Sequence, residues 1–284
     1  METTYIGLEV RNNAPDTWNE IILALLSEFP FDSFEEKDEA LWAYIPAKDF
    51  DENALQALDD IREAAGIHTI IHEMEKQNWN ETWEKQFHPV EIEDICYIYA
   101  PFHEKPRSDA YAHTMNIMPK MAFGTGHHAT TWLMIKSMYL DYDFNDKDVL
   151  DMGCGTGVLA LFARIRGAAS VHGIDIDDWA IENTFENFAA NHLQAPEYAK
   201  CGNREAIPSE AMYDCILANI NRNVLLEDLP VYVEHLRSGG TVFLSGFYPH
   251  DIPVLENVWK PLGLQIQQQR EKSGWACVVL KHQS

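Results

Sequence analysis

A glycine-rich turn at residues 153–157 is the first feature of the sequence that could serve chemistry. Three of its five residues, Gly153, Gly155 and Gly157, are glycines, and the turn follows an apolar run. Glycine adopts positive φ without strain and lets the backbone approach a ligand closely. A dinucleotide fingerprint needs a third glycine where Val158 stands, so the spacing disfavours a nicotinamide-dependent oxidoreductase. A ligand site at the end of a strand and a tight turn without any ligand remain as alternatives.

Asp175 lies about 20 positions beyond that turn, at the end of a predicted strand at 171–176. Its carboxylate offers two oxygens that can accept hydrogen bonds from both hydroxyls of a ribose. We therefore predict that Asp175 binds a cofactor. Asp177 is a second candidate, although it is more simply interpreted as the N-cap of the next helix.

Asn219 ends a further predicted strand, at 214–219. Its amide oxygen can accept hydrogen bonds, so Asn219 is a candidate contact for a ligand at this strand end. A buried Asn that only caps the strand end is the alternative.

Adjacent histidines, His127 and His128, lie in a segment rich in Gly, Thr and His at 119–131. Either imidazole can act as a general base, and either can simply order the loop.

The net charge is −24, from 21 Lys and Arg against 45 Asp and Glu. Such a surface repels phosphate backbones, so we predict no direct binding of nucleic acid. It can steer a basic partner toward a site. A need for solubility explains the same negative charge equally well.

Five scattered cysteines form no C-x-x-C pair, which indicates reduced thiols rather than disulfides or a zinc site. We predict no metal site. No apolar run approaches the roughly 20 residues that cross a bilayer, and the first residues lack the features of a signal peptide. The sequence therefore predicts a cytoplasmic protein that does not bind membranes.

Strands and helices are predicted to alternate from residue 148 onward. The strands are at 149–152, 171–176, 214–219, 241–245, 264–269 and 275–280. The helices are at about 158–166, 178–191, 222–236 and 250–262. This alternation is typical of an α/β fold with a mainly parallel sheet covered on both faces. The turn at 271–274 is too short for a crossover helix, so the last two strands must form an antiparallel edge hairpin.

The first 76 residues predict a smaller α+β domain. Strands at 4–10, 33–36, 41–45 and 67–73 and helices at 15–29 and 51–65 follow the order β-α-β-β-α-β. That order is the ferredoxin-like motif. Residues 77–90 are predicted to be a connector with aromatic residues at helical spacing, which leaves 91–284 for the second domain.

The run F-G-T-G-x-H-x-T-T at 123–131, together with the glycine turn, Asp175 and Asn219, resembles the PrmA family, the methyltransferases of ribosomal protein L11. The resemblance extends to Trp79, Trp83 and Trp275 and covers residues 75–284, whereas the first 75 residues match in architecture only. G-x-G-x-G is similar to the methyltransferase variant of the glycine turn. A parallel sheet with an antiparallel edge hairpin is the usual shape of class I methyltransferases.

The resemblance implies a Rossmann-like methyltransferase domain behind a ferredoxin-like domain that holds the substrate. It implies transfer of methyl groups from S-adenosylmethionine to lysine ε-amines and the N-terminal α-amine of the ribosomal protein. The predicted cofactor-binding residues are Thr131, Gly153, Gly155, Asp175 and Asn219. In many amino-group methyltransferases an acidic or amide residue followed by prolines ends this strand and accepts hydrogen bonds from the target nitrogen. The resemblance therefore implies a catalytic role for Asn219, although the prolines are absent here. We expect a monomer.

The chain departs from the family pattern at Lys120, where Gly is common, and at Asn221 and Arg222, where small or apolar residues are common. These departures affect the expected loop shape and nearby substrate contacts. The loop at 123–131 is predicted to be a mobile cover over the methionine end of the cofactor. The alternatives are a methyltransferase that acts on lysines of another basic protein, and a non-catalytic scaffold that only binds its substrate.

Overall fold

The computed structural model describes residues 5–38, 40–74, 87–106, 110–118 and 124–283. The chain divides into two compact units, Met1–Gln86 and Phe87–Ser284. Most of the predicted connector, including Trp79 and Trp83, lies outside the described residues, as does Lys120.

The first unit packs helices on a four-stranded antiparallel sheet. Its elements are β1 (Tyr5–Arg11), α1 (Pro15–Leu26), β2 (Ser33–Lys37), β3 (Ala40–Pro46), α2 (Asn53–Gln56), α3 (Asp59–Ala65) and β4 (His68–Met74). The strand order β2-β3-β1-β4 is that of a ferredoxin-like sheet, and the core contains Leu8, Ile22, Leu41 and Leu58. The predicted fold of this unit is confirmed.

One helix of this unit differs from the prediction. The single helix expected at 51–65 is broken into α2 and α3, because the N–H of Leu58 bonds the carbonyl of Leu55 three residues back and tightens the turn there. Gly66 ends α3 in the left-handed conformation, at φ 59°, which glycine adopts readily.

The second unit begins with a small three-stranded sheet, followed by a helix. The elements are β5 (Val90–Ile92), β6 (Cys96–Tyr99), β7 (His113–Asn116) and α4 (Ala129–Asp141). The sequence also predicts strands at 94–99 and 112–117, which correspond to β6 and β7, whereas β5 and α4 were missed. Seven residues of α4 are buried, so it lacks the polar face by which an amphipathic helix is recognised.

The central sheet of this unit has seven strands. Its elements in chain order are β8 (Asp148–Met152), α5 (Val158–Ile165), β9 (Ser170–Asp175), α6 (Asp178–Ala190), β10 (Tyr198–Cys201), β11 (Tyr213–Asn219), α7 (Arg222–Glu234), β12 (Leu236–Phe247), α8 (Ile252–Trp259), β13 (Leu264–Lys272) and β14 (Trp275–His282). The strand order is β10-β9-β8-β11-β12-β14-β13, with β14 antiparallel to β12 and to β13. The predicted edge hairpin is confirmed.

Two details of this sheet differ from the prediction. Strand β10 was missed, because its side chains are exposed or half-buried and carry no apolar alternation. Strand β12 begins at Leu236, where a helix was predicted, and it pairs with Tyr213 ahead of an irregularity in the register.

The sheet has an apolar core on each face. Helices α4, α5 and α6 cover one face, with Leu133, Phe162 and Phe188 in the core. Helices α7 and α8 cover the other face, with Leu229 and Trp259 in the core. Alternate residues of each strand point to opposite faces, so β8 contributes to both cores.

The chain order reverses between β8 and β11, since β9 and β10 lie on one side of β8 and the later strands lie on the other. Open α/β sheets bind ligands outside the carboxyl ends of the strands at such a switch point. Gly153 follows β8, and Asn219 ends β11, so the fold brings both to this edge. In the part of the chain that the structure describes, no helix combines the length and the apolar character needed to cross a membrane.

Candidate active site

The glycine turn after β8 wraps closely against its neighbours. Gly153 has φ 69° and Gly157 has φ 75°, in the left-handed region that favours glycine. A Cβ at Gly153 would lie 2.3 Å from Cγ2 of Ile220, and one at Gly157 would lie 2.7 Å from Oγ1 of Thr184. The turn therefore requires glycine for conformation and for space.

A cavity of about 430 Å³ opens beside this turn, at the carboxyl edge of the sheet. Gly153, Gly155, Asp175 and Asn219 all line it. Four of the five residues predicted to bind the cofactor are therefore brought to one cavity, although they come from the ends of three strands. Their individual roles stay predictions.

Asp175 is fixed at the cavity wall by two backbone donors. The N–H of Gly155 donates to Oδ2 at 2.8 Å, and the N–H of Asp177 donates to Oδ1 at 3.1 Å. Each carboxylate oxygen has a further lone pair, so the group can still accept hydrogen bonds from a ligand. Asp177 is the N-cap of α6 and accepts the N–H of Trp179 at 2.9 Å, which confirms its simpler interpretation.

Asn219 presents an unsatisfied acceptor at the end of β11. Its Oδ1 is buried and has no partner among the described residues, while its Nδ2 donates to Oγ1 of Thr131 at 3.4 Å. Buried polar atoms normally have partners, so an orphaned oxygen beside a cavity is a candidate ligand contact.

Thr131 lies apart from the other predicted cofactor-binding residues. It is fully buried in the first turn of α4 and is not among the residues that line the cavity. Its described side-chain contact is with Asn219, 88 positions along the chain.

Both predicted histidines bond to the loop around them. His128 is the N-cap of α4 and accepts the N–H of Thr130 at 3.3 Å. The Nε2 of His127 bonds the carbonyl of His88 at 2.8 Å, and its Nδ1 bonds Oγ1 of Thr125 at 3.1 Å. Neither lines the cavity, so these contacts favour the loop-ordering interpretation.

The loop that precedes α4 is anchored to the glycine turn where it is described. Oγ1 of Thr156 donates to the carbonyl of Gly124 at 2.7 Å. Gly126 packs against the small sheet, where a Cβ would lie 2.6 Å from Cδ1 of Ile98. Phe123, the first residue of the predicted cover, lies outside the described residues.

Asp151 is a residue of this region that the sequence analysis did not assign. It is fully buried in β8, where Oδ2 accepts the N–H of Ala160 at 3.0 Å and Oδ1 has no partner among the described residues. Burial raises the pKa of Asp151 to about 7. The available signal was an acidic residue inside an otherwise apolar strand, two positions before Gly153.

Asn221 and Arg222, where the chain departs from the family pattern, both form local structural contacts. Asn221 is the N-cap of α7 and accepts the N–H of Val224 at 3.1 Å. Arg222 donates to the buried carboxylate of Asp251 at 2.7 Å, and that carboxylate also accepts the N–H of Tyr248 at 2.9 Å. This ion pair ties together the loops that follow β11 and β12.

The described residues contain no group of three or more His, Cys, Asp and Glu side chains placed to hold a metal ion.

Comparison with known proteins gives the same assignment at the level of the family. The profile of the family "Ribosomal protein L11 methyltransferase (PrmA)" matches residues 23–283. The chain is 42% identical over 270 residues to a ribosomal protein L11 methyltransferase of Phocaeicola vulgatus, covering 93% of both chains. It is 44% identical over 266 residues to the protein of the same name in Porphyromonas gingivalis, covering 93% of this chain and 90% of that one.

Solved structures are similar in fold. A ribosomal protein L11 methylase from Lactobacillus delbrueckii subsp. bulgaricus superimposes with a TM-score of 0.64 at 25% identity, over 70% of this chain and 100% of that one. A methyltransferase from Pyrococcus furiosus matches with a TM-score of 0.51 at 16% identity, over 60% of this chain and 90% of that one, which shows the fold alone. Because the family profile and the relatives span nearly the whole chain, this chain belongs to the ribosomal protein L11 methyltransferase family.

Proposed function

We propose that this protein transfers methyl groups from S-adenosylmethionine to amines of ribosomal protein L11, with the amide oxygen of Asn219 as the acceptor for the target nitrogen. The observation that carries this proposal is the buried Oδ1 of Asn219, which lacks a partner among the described residues and belongs to a residue that lines the cavity beside the glycine turn. The names of the relatives supply the substrate protein.

The residues present fit the cofactor. Gly153 and Gly155 leave room for close backbone approach, and the carboxylate of Asp175 is held where it can accept both ribose hydroxyls. When bound, the cofactor supplies an electrophilic methyl group on a sulfonium sulfur. These three residues would bind its ribose and amino-acid part.

The protein must align the target nitrogen, the methyl carbon and the sulfur in one line. With the cofactor bound beside Gly153, Gly155 and Asp175, the nitrogen lone pair would form the new N–C bond while the C–S bond breaks and leaves its electron pair on sulfur. Such alignment supplies much of the rate. The N–H groups of the amine then point away from the methyl group, so an acceptor such as Oδ1 of Asn219 can hold the nitrogen in orientation.

A lysine must lose a proton before it can react. At a pKa of about 10.4 the neutral form costs roughly 4 to 5 kcal/mol at pH 7. Desolvation in the cavity lowers that cost, and water can take the proton before methyl transfer. His127 and His128 are engaged in loop contacts, so the proposal needs neither imidazole as a base.

We further propose that residues 1–76 recognise the substrate and that lysine ε-amines and the N-terminal α-amine of the ribosomal protein are the targets. The net charge of −24 supports binding of a basic protein and argues against direct binding of nucleic acid. The five free cysteines, four of them buried, accord with a reducing cytoplasm. We expect the enzyme to act as a monomer. A different basic protein as substrate is the second candidate.

Purified protein incubated with L11 and S-adenosylmethionine labelled in the methyl group tests the proposal. We expect label on L11, less label on a substrate in which lysines are replaced by arginine, and almost none with Asn219→Ala. Asn223→Ala is the matched control. The side chain of Asn223 is exposed, and its hydrogen bonds within the described part of the chain come from Arg222. Label on another protein of a cell lysate, with none on L11, would favour the second candidate.

A further inference from the structure

The four-stranded sheet of the first unit has two different faces. Helices α1, α2 and α3 pack on one face, where the strands contribute Leu8 and Leu41 to the core. Alternate residues of a strand point to opposite faces, so the neighbours of these leucines point away from the helices. We call the surface away from the helices the aromatic face, and it contains Glu9, Glu35, Trp42, Tyr44, Ile70 and His72.

Aromatic rings occupy the centre of this face. One row across the four strands consists, in order, of Glu35, Trp42, Glu9 and Ile70. The ring centroid of Trp42 lies 6.2 Å from that of Tyr44, in a stacked arrangement, and 4.8 Å from that of His72. Trp42 and Tyr44 are both half-buried, so part of each ring remains accessible.

Carboxylates flank these rings. Glu9 is buried, and its two oxygens bond Nε of Arg11 at 2.6 Å and Nε2 of His72 at 2.7 Å. Glu35 lies on the edge strand β2, is exposed, and accepts the hydroxyl of Tyr44 at 3.0 Å. A carboxylate accepts several hydrogen bonds, so Glu35 can bind a further donor from a partner.

The charge of this part of the chain selects the kind of partner. An aromatic sheet surface can stack on the bases of RNA or bind cationic side chains. Residues 1–76 contain 18 Asp and Glu against 5 Lys and Arg, in a chain that has 45 against 21. More than half of the net negative charge therefore lies in about a quarter of the sequence. Such a domain repels a phosphate backbone and attracts a basic protein.

We propose that the aromatic face binds the basic protein substrate, with a Lys or Arg side chain of that protein against the ring of Trp42 and its cationic group near Glu35. Cations bind aromatic faces, and a neighbouring carboxylate adds a charge-assisted hydrogen bond. Ile70 is 47% exposed and supplies an apolar contact at the other end of the row. This inference rests on the proposed function, since it names the surface by which residues 1–76 would hold L11.

Calorimetric titration of L11 into the full-length protein tests the face with a matched pair of variants. Ile70 and Ile71 are 47% and 44% exposed on the edge strand β4, and they point to opposite faces, since Ile70 pairs with Glu9 and Ile71 pairs with Leu8. Ile70→Ser should weaken L11 binding about fivefold, whereas Ile71→Ser should change it by less than about twofold.

The ring of Trp42 has a test of its own. Trp42→Leu keeps an apolar side chain but removes the aromatic face, so it should weaken L11 binding about tenfold, and Trp42→Phe should recover most of that loss. In steady-state kinetics the KM for L11 should rise by a similar factor at unchanged kcat, because the face holds the substrate and does not take part in methyl transfer. The Kd for S-adenosylhomocysteine should stay the same, and thermal unfolding shows whether each variant remains folded.

The inference is wrong if Trp42→Leu and Ile70→Ser bind L11 like the parent, or if Ile71→Ser weakens binding as much as Ile70→Ser does. A poly(U) oligonucleotide that binds the parent and loses affinity in Trp42→Leu would indicate an RNA surface instead. If L11 binds the parent but receives no methyl group, the proposed function fails, whereas the Kd values still decide the role of the aromatic face. If L11 does not bind the parent, both fail.

Discussion

At the scale of single residues, Asp175 is predicted to bind the cofactor beside the glycine turn. Its carboxylate already accepts two backbone N–H groups at the cavity wall. Asp175→Ala should weaken binding of S-adenosylhomocysteine by roughly 2 to 3 kcal/mol, on the order of a hundredfold in Kd, because two charged acceptors are lost. Calorimetric titration measures the change. Asp178→Ala, an exposed acidic residue three positions on, is the control, and equal affinities for all three proteins would refute the ribose assignment.

The buried carboxyl of Asp151 predicts how stability depends on pH. Its folded pKa of about 7 exceeds the value of about 3.9 expected in the unfolded chain. The folded state therefore binds the proton more tightly, and this contribution to stability is fully present below about pH 4 and is lost as the pH rises through about 7.

Asp151→Asn removes that dependence, since the amide cannot ionise. The free energy of unfolding of the parent should fall relative to the variant between pH 4 and pH 8, by an amount on the order of 4 kcal/mol. Urea unfolding at a series of pH values measures the free energy of unfolding of the parent and of the variant. The exposed Glu182→Gln serves as the control, and a constant difference between parent and Asp151→Asn across the range would contradict the prediction.

At the scale of elements, the loop before α4 is predicted to close over the cofactor. Its described part is anchored through the hydroxyl of Thr156 and the carbonyl of Gly124, so closure must pivot near that bond. Hydrogen exchange across 121–131 should slow when S-adenosylhomocysteine binds, since a closed loop excludes water. Equal protection with and without the ligand would indicate a static turn that does not close.

Gly124 offers a second test of that loop. A Cβ there would meet Oγ1 of Thr156 at 2.9 Å, and the residue has φ 107°. Gly124→Val should therefore depress kcat by disturbing the anchor and blocking closure, with a smaller effect on affinity for the cofactor. Steady-state kinetics combined with calorimetry separates the two effects. A variant with normal kcat would exclude the proposed closure.

At the scale of the whole molecule, the two units are predicted to divide the work. Both apolar cores of the central sheet consist of residues from 92 onward, so the second unit has a hydrophobic core of its own. Removing residues 1–76 should leave a folded protein that binds S-adenosylhomocysteine with little change in affinity, while kcat/KM on L11 falls steeply. Circular dichroism checks the fold, and full kcat/KM in the truncated protein would show that the first unit does not recognise the substrate.

Local rules determined much of this protein from the sequence alone. The glycine spacing predicted the turn, because glycine adopts its positive φ values without strain. The acidic and amide strand ends predicted Asp175 and Asn219 as wall residues of one site. The short turn at 271–274 required the edge hairpin. The run at 123–131 indicated the family that the comparisons confirm. Each of these inferences depends on residues close together in the sequence, or on the length of the turn between two successive strands.

Tertiary structure decided what depends on contacts between distant segments. Strand β10 and helix α4 were missed, because pairing with β9 and burial on nearly all sides stabilise them without a local pattern. The contact of Thr131 with Asn219 spans 88 positions, so no spacing rule reports it. Asp151 acquires its raised pKa from the packing around β8 rather than from its neighbours in the chain. Burial and orientation are properties of the packed molecule, since they arise only when the sheet and its helices exclude water together.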